Sequence, residues 1–182
     1  MIKIIRLAKI EEAEDILKVY QSGGNFLPYT DIKEVRDCIK DNKNGKVSLI
    51  VIETENKIVG ALKLHRPQAH IGKGGKVAVL PEYRNQGIGR LLYKAAIKIF
   101  DMEGRRKVTD SLVGDNNSVF KMFEKLGFEI EATMRKHTPG GKTLYQFAYH
   151  VDEKGVPDLG EEVKFDIPLT DYMKNLEQKN KK

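Results

Sequence analysis

Residues 77–92, ValAlaValLeuProGluTyrArgAsnGlnGlyIleGlyArgLeuLeu, constrain the fold of this chain more than any other stretch. A short apolar run, ValAlaValLeu at 77–80, reads as a strand halted by Pro81, which cannot donate a ladder hydrogen bond. From Gly87 or Ile88 onward the period changes to that of a helix, with Ile88, Leu91, Leu92, Ala95, Ala96 and Ile99 on one face up to the GlyArgArg break at 104–106. The order is strand, polar turn with two glycines, amphipathic helix. A helix start presents backbone N–H groups without intrahelical partners and a partial positive charge, so an anion placed there gains hydrogen bonds and a favourable dipole interaction. Gly87 and Gly89 have no Cβ, which admits a bulky phosphate group close to the backbone. By itself GlyIleGly also fits a plain helix entrance with loose turn geometry.

The segments on either side extend the pattern. Residues 2–6 read as a strand, and Ala13, Ile16, Leu17 and Tyr20 fall on one face of a helix that SerGlyGly at 22–24 breaks. A second helix follows Pro28, with Thr30 or Asp31 as N-cap and Ile32, Val35 and Ile39 as its apolar stripe, ending in the turn residues Asn44 and Gly45. β-Branched runs at 47–52 and 57–64 read as an antiparallel hairpin, and a loop with Pro67, Gly72, Gly74 and Gly75 is expected before the strand at 77. Downstream come a strand at 107–113 and a helix capped by Asp115 or Asn116, with Val119, Met122, Phe123 and Leu126 buried and Gly127 as its stop. Two further strands, 128–135 and 143–151, are joined by ThrProGlyGly. Strands alternating with helices, yet including hairpins, predict an α/β fold: a mixed, mostly antiparallel sheet with helices packed on its faces. After residue 151 the tail keeps one strand pattern, ValLysPheAspIle, and a helix pattern from Asp171.

Composition narrows the class. A chain of 182 residues, 40% hydrophobic and 32% charged, is a globular domain of ordinary size, and no apolar run reaches the roughly 20 residues of a membrane span. MIKIIRLAKI lacks the apolar core and cleavage site of a signal peptide, so a cytoplasmic location is expected. The single cysteine, Cys38, excludes an internal disulfide and a cysteine-based zinc site, and no metal is expected. The net charge of +6 resides largely in the lysine-rich end and in scattered lysines, and the aromatic residues are not interleaved with basic ones, so nucleic acid is a minority reading.

ArgAsnGlnGlyIleGly at 84–89 matches the Arg/Gln-x-x-Gly-x-Gly/Ala signature of the GNAT superfamily, at the family's spacing from the preceding strand. AsnAsnSerValPheLysMetPheGluLysLeuGlyPhe at 116–128 is similar to a second segment of that family, in the right order. The chain therefore resembles an acetyl-CoA-dependent GNAT N-acetyltransferase over residues 1–151, with 152–182 as a C-terminal extension. The resemblance implies a GNAT fold with helices on both faces of the sheet. It also implies that Val77, Ala78 and Val79 pair through their backbone with the pantetheine arm of acetyl-CoA. Arg84, Asn85, Gln86, Gly87, Ile88, Gly89 and Arg90 would hold its pyrophosphate. Asn116 takes the family's amide position near the pantetheine, although an N-cap role explains it equally well.

The reaction so implied is direct attack of a neutral primary amine on the thioester, with the oxyanion held by strand N–H groups and no covalent enzyme intermediate. Two departures leave the catalytic residues unassigned. Phe123 stands where the family often has a tyrosine that protonates the departing thiolate, and no carboxylate stands near Gly74, Gly75 or Lys76, where many relatives carry glutamate. His65, His70, His137 or a water chain are the remaining proton acceptors to consider, while Cys38 reads as an inert thiol. The same departures motivate an alternative, a GNAT-fold protein that binds CoA with little catalysis and acts as a sensor or interaction module. The acceptor, a small-molecule or peptide amine, is not legible, and a homodimer through the tail from Gly160 is suggested only by superfamily habit.

Overall fold

The structure, a computed structural model, describes residues 2–23, 31–42, 46–114 and 117–167. In chain order these form β1 (Lys3–Leu7), a 3-10 turn and α1 (Ala13–Gln21), α2 (Ile32–Asp41), β2 (Val47–Thr54), β3 (Lys57–Gln68) and β4 (Ile71–Val79). A 3-10 turn at Pro81–Tyr83 leads to α3 (Ile88–Met102), β5 (Lys107–Val113), α4 (Asn117–Leu126), β6 (Glu129–Met134), β7 (Leu144–His150), the single turn α5 (Val151–Lys154) and β8 (Val163–Asp166). The expected cap at Thr30, the turn at Asn44 and Gly45, the caps Asp115 and Asn116 and the helix from Asp171 lie outside the described residues.

The strands join in one mixed sheet of order β6-β7-β5-β4-β3-β2-β1-β8, with parallel pairing only between β4 and β5 and between β1 and β8. Helices cover both faces, as the α/β reading expects. On one face α1 and α2 bury Ile16, Val19, Tyr20, Val35 and Ile39 against Leu49, Val51, Ala61 and Ala78. On the other, α3 and α4 bury Leu92, Tyr93, Ile97, Phe100 and Phe123 against Ile50, Leu62, Leu64, Val108 and Phe147. Asp31 caps α2 by accepting from Glu34 N–H at 2.8 Å. The β2–β3 turn uses Glu55 and Asn56 at φ 52° and 59°, the left-handed pair a two-residue hairpin requires. Residues past α5 return to the same core: Leu159 is buried there, Phe165 lies beside Lys98 of α3, and β8 extends the sheet along β1.

The glycine-rich segment corrects the sequence reading. Gly72, Gly74 and Gly75 are not in a loop but inside β4, which starts at Ile71 and pairs with β3 along its length. Their smallness is used for packing. A Cβ on Gly72 would lie 2.4 Å from the Phe100 ring, and one on Gly74 would lie 2.7 Å from Tyr93 Cε1. The helix α3 therefore rests directly on the backbone of β4. Its far end is fixed by a buried ion cluster, in which Glu103 accepts from Arg66 Nη2 at 2.6 Å and from Arg105 Nε at 2.7 Å. Arg105 in turn donates to the carbonyls of Ala69 and Ile71 at 3.1 Å each, tying α3 to the β3–β4 turn. The expected strand 143–151 ends one residue early, because Val151 N–H turns back to the Arg106 carbonyl at 2.8 Å and begins α5.

Two irregularities mark β4. The register with β3 slips by one residue between Ala61↔Ala78 and Lys63↔Gly75, so β4 carries a bulge around Lys76, whose φ is 53°. The parallel ladder with β5 consists of Ile71↔Lys107, Gly72↔Val108 and Lys73↔Thr109, after which the two strands part. Gly72→Val should force the Phe100 ring out of its place and cost about 1–3 kcal/mol, as overpacking does. Urea unfolding of the two proteins measures it; a loss below about 0.5 kcal/mol would show that α3 does not rest on this strand as described.

Candidate active site

Where β4 leaves β5, a groove of about 530 Å³ opens. One wall is β4 itself at Val77, Ala78 and Val79, and the floor is the loop and first turn of α3, with Tyr83, Arg84, Asn85, Gly87, Ile88, Gly89 and Arg90. The other wall is α4, through Ser118, Val119, Lys121, Met122 and Lys125.

The loop has its form for local reasons. Pro81 starts the 3-10 turn at a position that needs no N–H, and Tyr83 and Arg84 close it by bonding to the carbonyls of Leu80 and Pro81. Asn85 and Gly87 take left-handed φ values of 61° and 79°, and at 87 only glycine does so without strain. The first bond of α3 runs from Leu91 N–H to the Gly87 carbonyl at 2.9 Å, so the N–H groups of Ile88, Gly89 and Arg90 precede any intrahelical partner. Gly89 is small for a different reason: a Cβ there would lie 3.2 Å from the Met122 sulfur, so the residue lets α4 approach α3. Arg90, Lys121 and Lys125 add positive charge to a helix start that already favours anions.

The residues expected at the site are thus distributed unevenly. Val77, Ala78, Val79, Arg84, Asn85, Gly87, Ile88, Gly89 and Arg90 line one groove. The Arg84 guanidinium is engaged within the protein, donating to the carbonyls of Val79 at 3.0 Å and Ser22 at 2.7 Å, and so ties the loop to the end of α1. The Gln86 side chain points back to the Glu82 carbonyl, at 3.0 Å. Phe123 faces away from the groove; it is buried, 5.0 Å from Tyr93 in edge-to-face contact and 4.9 Å from Phe128 and Phe147. Asn116 lies outside the described residues. Sequence reasoning did not single out Ser118, Lys121 and Lys125, although their i, i+3, i+7 spacing marks a polar stripe of α4 beside its buried one.

Around the bulge the fold assembles groups that are far apart in sequence. Glu34 of α2 accepts from Lys76 Nζ at 2.7 and 2.8 Å and from Lys63 Nζ at 3.2 Å, which outweighs its partial burial and holds its carboxyl below the usual range. A carboxylate does reach Lys76, but from another element and already paired. Cys38 is buried nearby with its thiol pushed up by burial, consistent with an inert role. His65 sits beside Gly75; burial and then the cations Lys63, Lys73, Arg66 and Lys76 lower it to about 4. It is neutral at pH 7 and too weak a base to draw a proton from an ammonium group. His70 lies in the β3–β4 turn and His137 in the β6–β7 connection, neither against the groove.

Comparison with known proteins finds the same fold elsewhere. Residues 45–130 match the family described as the acetyltransferase (GNAT) domain. Over that segment the chain is similar to the GNAT acetyltransferases. A Sodalis glossinidius acetyltransferase is 24% identical over 127 residues, covering 70% of this chain and 87% of that one. Among solved structures, Salmonella typhimurium YncA with its cofactor acetyl-CoA superimposes at a TM-score of 0.73 with 17% identity, covering 87% of this chain and 99% of that one. A spermidine N-acetyltransferase SpeG chimera from Vibrio cholerae and human SSAT gives 0.73 with 15% identity, covering 84% and 98%. Among the described residues, no helix is long and apolar enough to cross a membrane.

The lowered value of His65 has a stability consequence. Its folded pKa lies below the unfolded value of 6.5, so protonation favours the unfolded chain: the contribution is fully present above pH 6.5 and is lost as pH falls toward 4. The His65 ring signals in an NMR titration should move with a midpoint near 4, and a midpoint at 6 or above would contradict the cationic surroundings described.

Proposed function

We propose that this protein transfers the acetyl group of acetyl-CoA to a primary amine by direct attack. The supporting observation is the groove itself: the strand edge that β5 has left and the start of α3 share one cleft, and four cationic residues, Arg84, Arg90, Lys121 and Lys125, line it. A pantetheine arm needs amide partners, and β4 has a free edge at Val77, Ala78 and Val79 once its ladder with β5 has ended. A pyrophosphate needs N–H donors and positive charge, which residues 84–90, Lys121 and Lys125 supply. By the family resemblance, Asn116 is the residue we assign to an amide contact with the pantetheine. Phe123 carries no hydroxyl and faces the core, so its part is to support the α4 wall.

In the reaction, the amine nitrogen attacks the thioester carbonyl, and the developing oxyanion takes a hydrogen bond from a backbone N–H of β4 near the bulge. Collapse breaks the C–S bond and releases the thiol, whose ordinary pKa of about 8.5 makes it a tolerable leaving group without a tyrosine at position 123. The named activity of the SpeG relative is on spermidine, which contains primary amines. We assign this chemistry to residues 1–151 and treat 152–182 as an extension.

Calorimetric titration with acetyl-CoA tests the cofactor half of this reading. The wild type should bind with a Kd of about micromolar order, and a Gly87→Glu, Gly89→Glu double variant should lose about 100-fold or more, since Glu at 87 strains the left-handed turn and adds negative charge to the loop, and Glu at 89 pushes on Met122 where α3 meets α4. Circular dichroism checks that the variant is folded. Equal binding by both proteins would place the cofactor elsewhere, and tight binding with no transfer to any amine would favour a CoA-responsive module over an enzyme.

A further inference from the structure

Gly74 and Asp110 are the first residues beyond the end of the β4–β5 ladder, one on each arm of the fork. A Cβ on Gly74 would stand 3.0 Å from Asp110 Oδ2. The carboxylate of Asp110 therefore occupies, from β5, the space that a side chain of β4 at position 74 would take. This is the stretch of β4 that has no acidic residue of its own.

Asp110 is 6% exposed. Its Oδ1 accepts from Ser111 N–H at 2.6 Å and its Oδ2 accepts from the Tyr93 hydroxyl. No salt bridge to it exists among the described residues. The groups facing it are Tyr93 from α3, Lys73 from β4 and the cross-strand Phe147 of β7, with the Tyr20 hydroxyl of α1 within electrostatic reach of Tyr93. A buried carboxylate without a cation partner is costly, and two neutral donors, one on each oxygen, offset only part of that cost. Packing alone does not account for an acid at this place.

We propose that Asp110, through a bridging water at the fork, accepts the proton that the acceptor amine must lose before it attacks. This assignment rests on the transfer reaction proposed above. The acceptor's ammonium group gives one proton to the Asp110 carboxylate. The neutral nitrogen then forms the C–N bond, the oxyanion so produced collapses with cleavage of the C–S bond, the thiolate takes a proton from the new amide nitrogen, and Asp110 returns its proton to solvent. The products are amide, thiol and one proton. Burial raises the Asp110 carboxyl to about 7, against the opposing pull of Tyr93, Ser111 N–H and Lys73, which suits a base working near neutral pH.

The test compares the full-length wild type with Asp110→Asn and Tyr93→Phe, using acetyl-CoA and a panel of primary amines that includes spermidine and a peptide with a free N-terminus. The wild-type kcat/KM should fall below about pH 7 with a slope of one proton. Asp110→Asn should lose that limb and about 100-fold or more in kcat, with acetyl-CoA affinity within about twofold. Tyr93→Phe removes a bond that favours the charged carboxylate, so its acid limb should move to higher pH. Difference infrared spectra read the same group without any acceptor, as a carboxyl band titrating near pH 7 in the wild type and absent from Asp110→Asn. Wild-type activity and pH profile retained in Asp110→Asn would overturn the assignment and leave the transfer reaction standing. Failure of the wild type to turn over any amine would overturn both.

Discussion

The close seating of α3 on β4 is the contact on which the rest of this structure depends. Two aromatic rings, Phe100 and Tyr93, lie where side chains of β4 at 72 and 74 would otherwise be, and both positions are glycine. The Glu103 cluster fixes the same helix to the β3–β4 turn. With its body and far end held against the strand, the start of α3 has one position relative to β4. That position brings unpaired helix N–H groups alongside a strand edge, and neither feature alone would make the groove.

The fork between β4 and β5 originates in the same strand. Its bulge at Lys76 turns the backbone, and β5 stays paired with β7 over its whole length while leaving β4 after Lys73↔Thr109. Past that point β4 stays paired with β3 on one side and is no longer in ladder with β5 on the other. Charge is arranged to match: cations surround the helix start, whereas the acidic groups near the bulge are either paired with lysine, as Glu34 is, or buried at the fork, as Asp110 is. On the function proposed above, the polyanionic cofactor and the deprotonation of the amine would thus draw on separate groups.

Much of this was legible in the sequence because it is local. The strand, proline stop, glycine turn and helix of residues 77–92 are set by neighbours within a few positions, and the second motif at 116–128 keeps its own helical period. What escaped reading is what the fold brings together over long separations. Nothing in the neighbourhood of Gly72 or Gly74 announces that Phe100 and Tyr93 will cover them, so the glycines suggested a loop. Similarly, Glu34 is 42 positions from Lys76, and Asp110 reaches the space above Gly74 only because β5 is the next strand over. The polar stripe of Ser118, Lys121 and Lys125 could have been read from its spacing; the orientation of Phe123 toward Tyr93 and Phe147 could not have been separated from a role at the cofactor.

The central claim is that the free edge of β4 and the start of α3 hold one ligand together, and amide hydrogen exchange with and without acetyl-CoA addresses it most directly. Acetyl-CoA should slow exchange at residues 77–79 and at residues 85–90 in the same titration and with the same midpoint, while the amides of β2, already paired on both sides, stay as they are. Protection confined to one of the two segments, or to neither, would contradict the account.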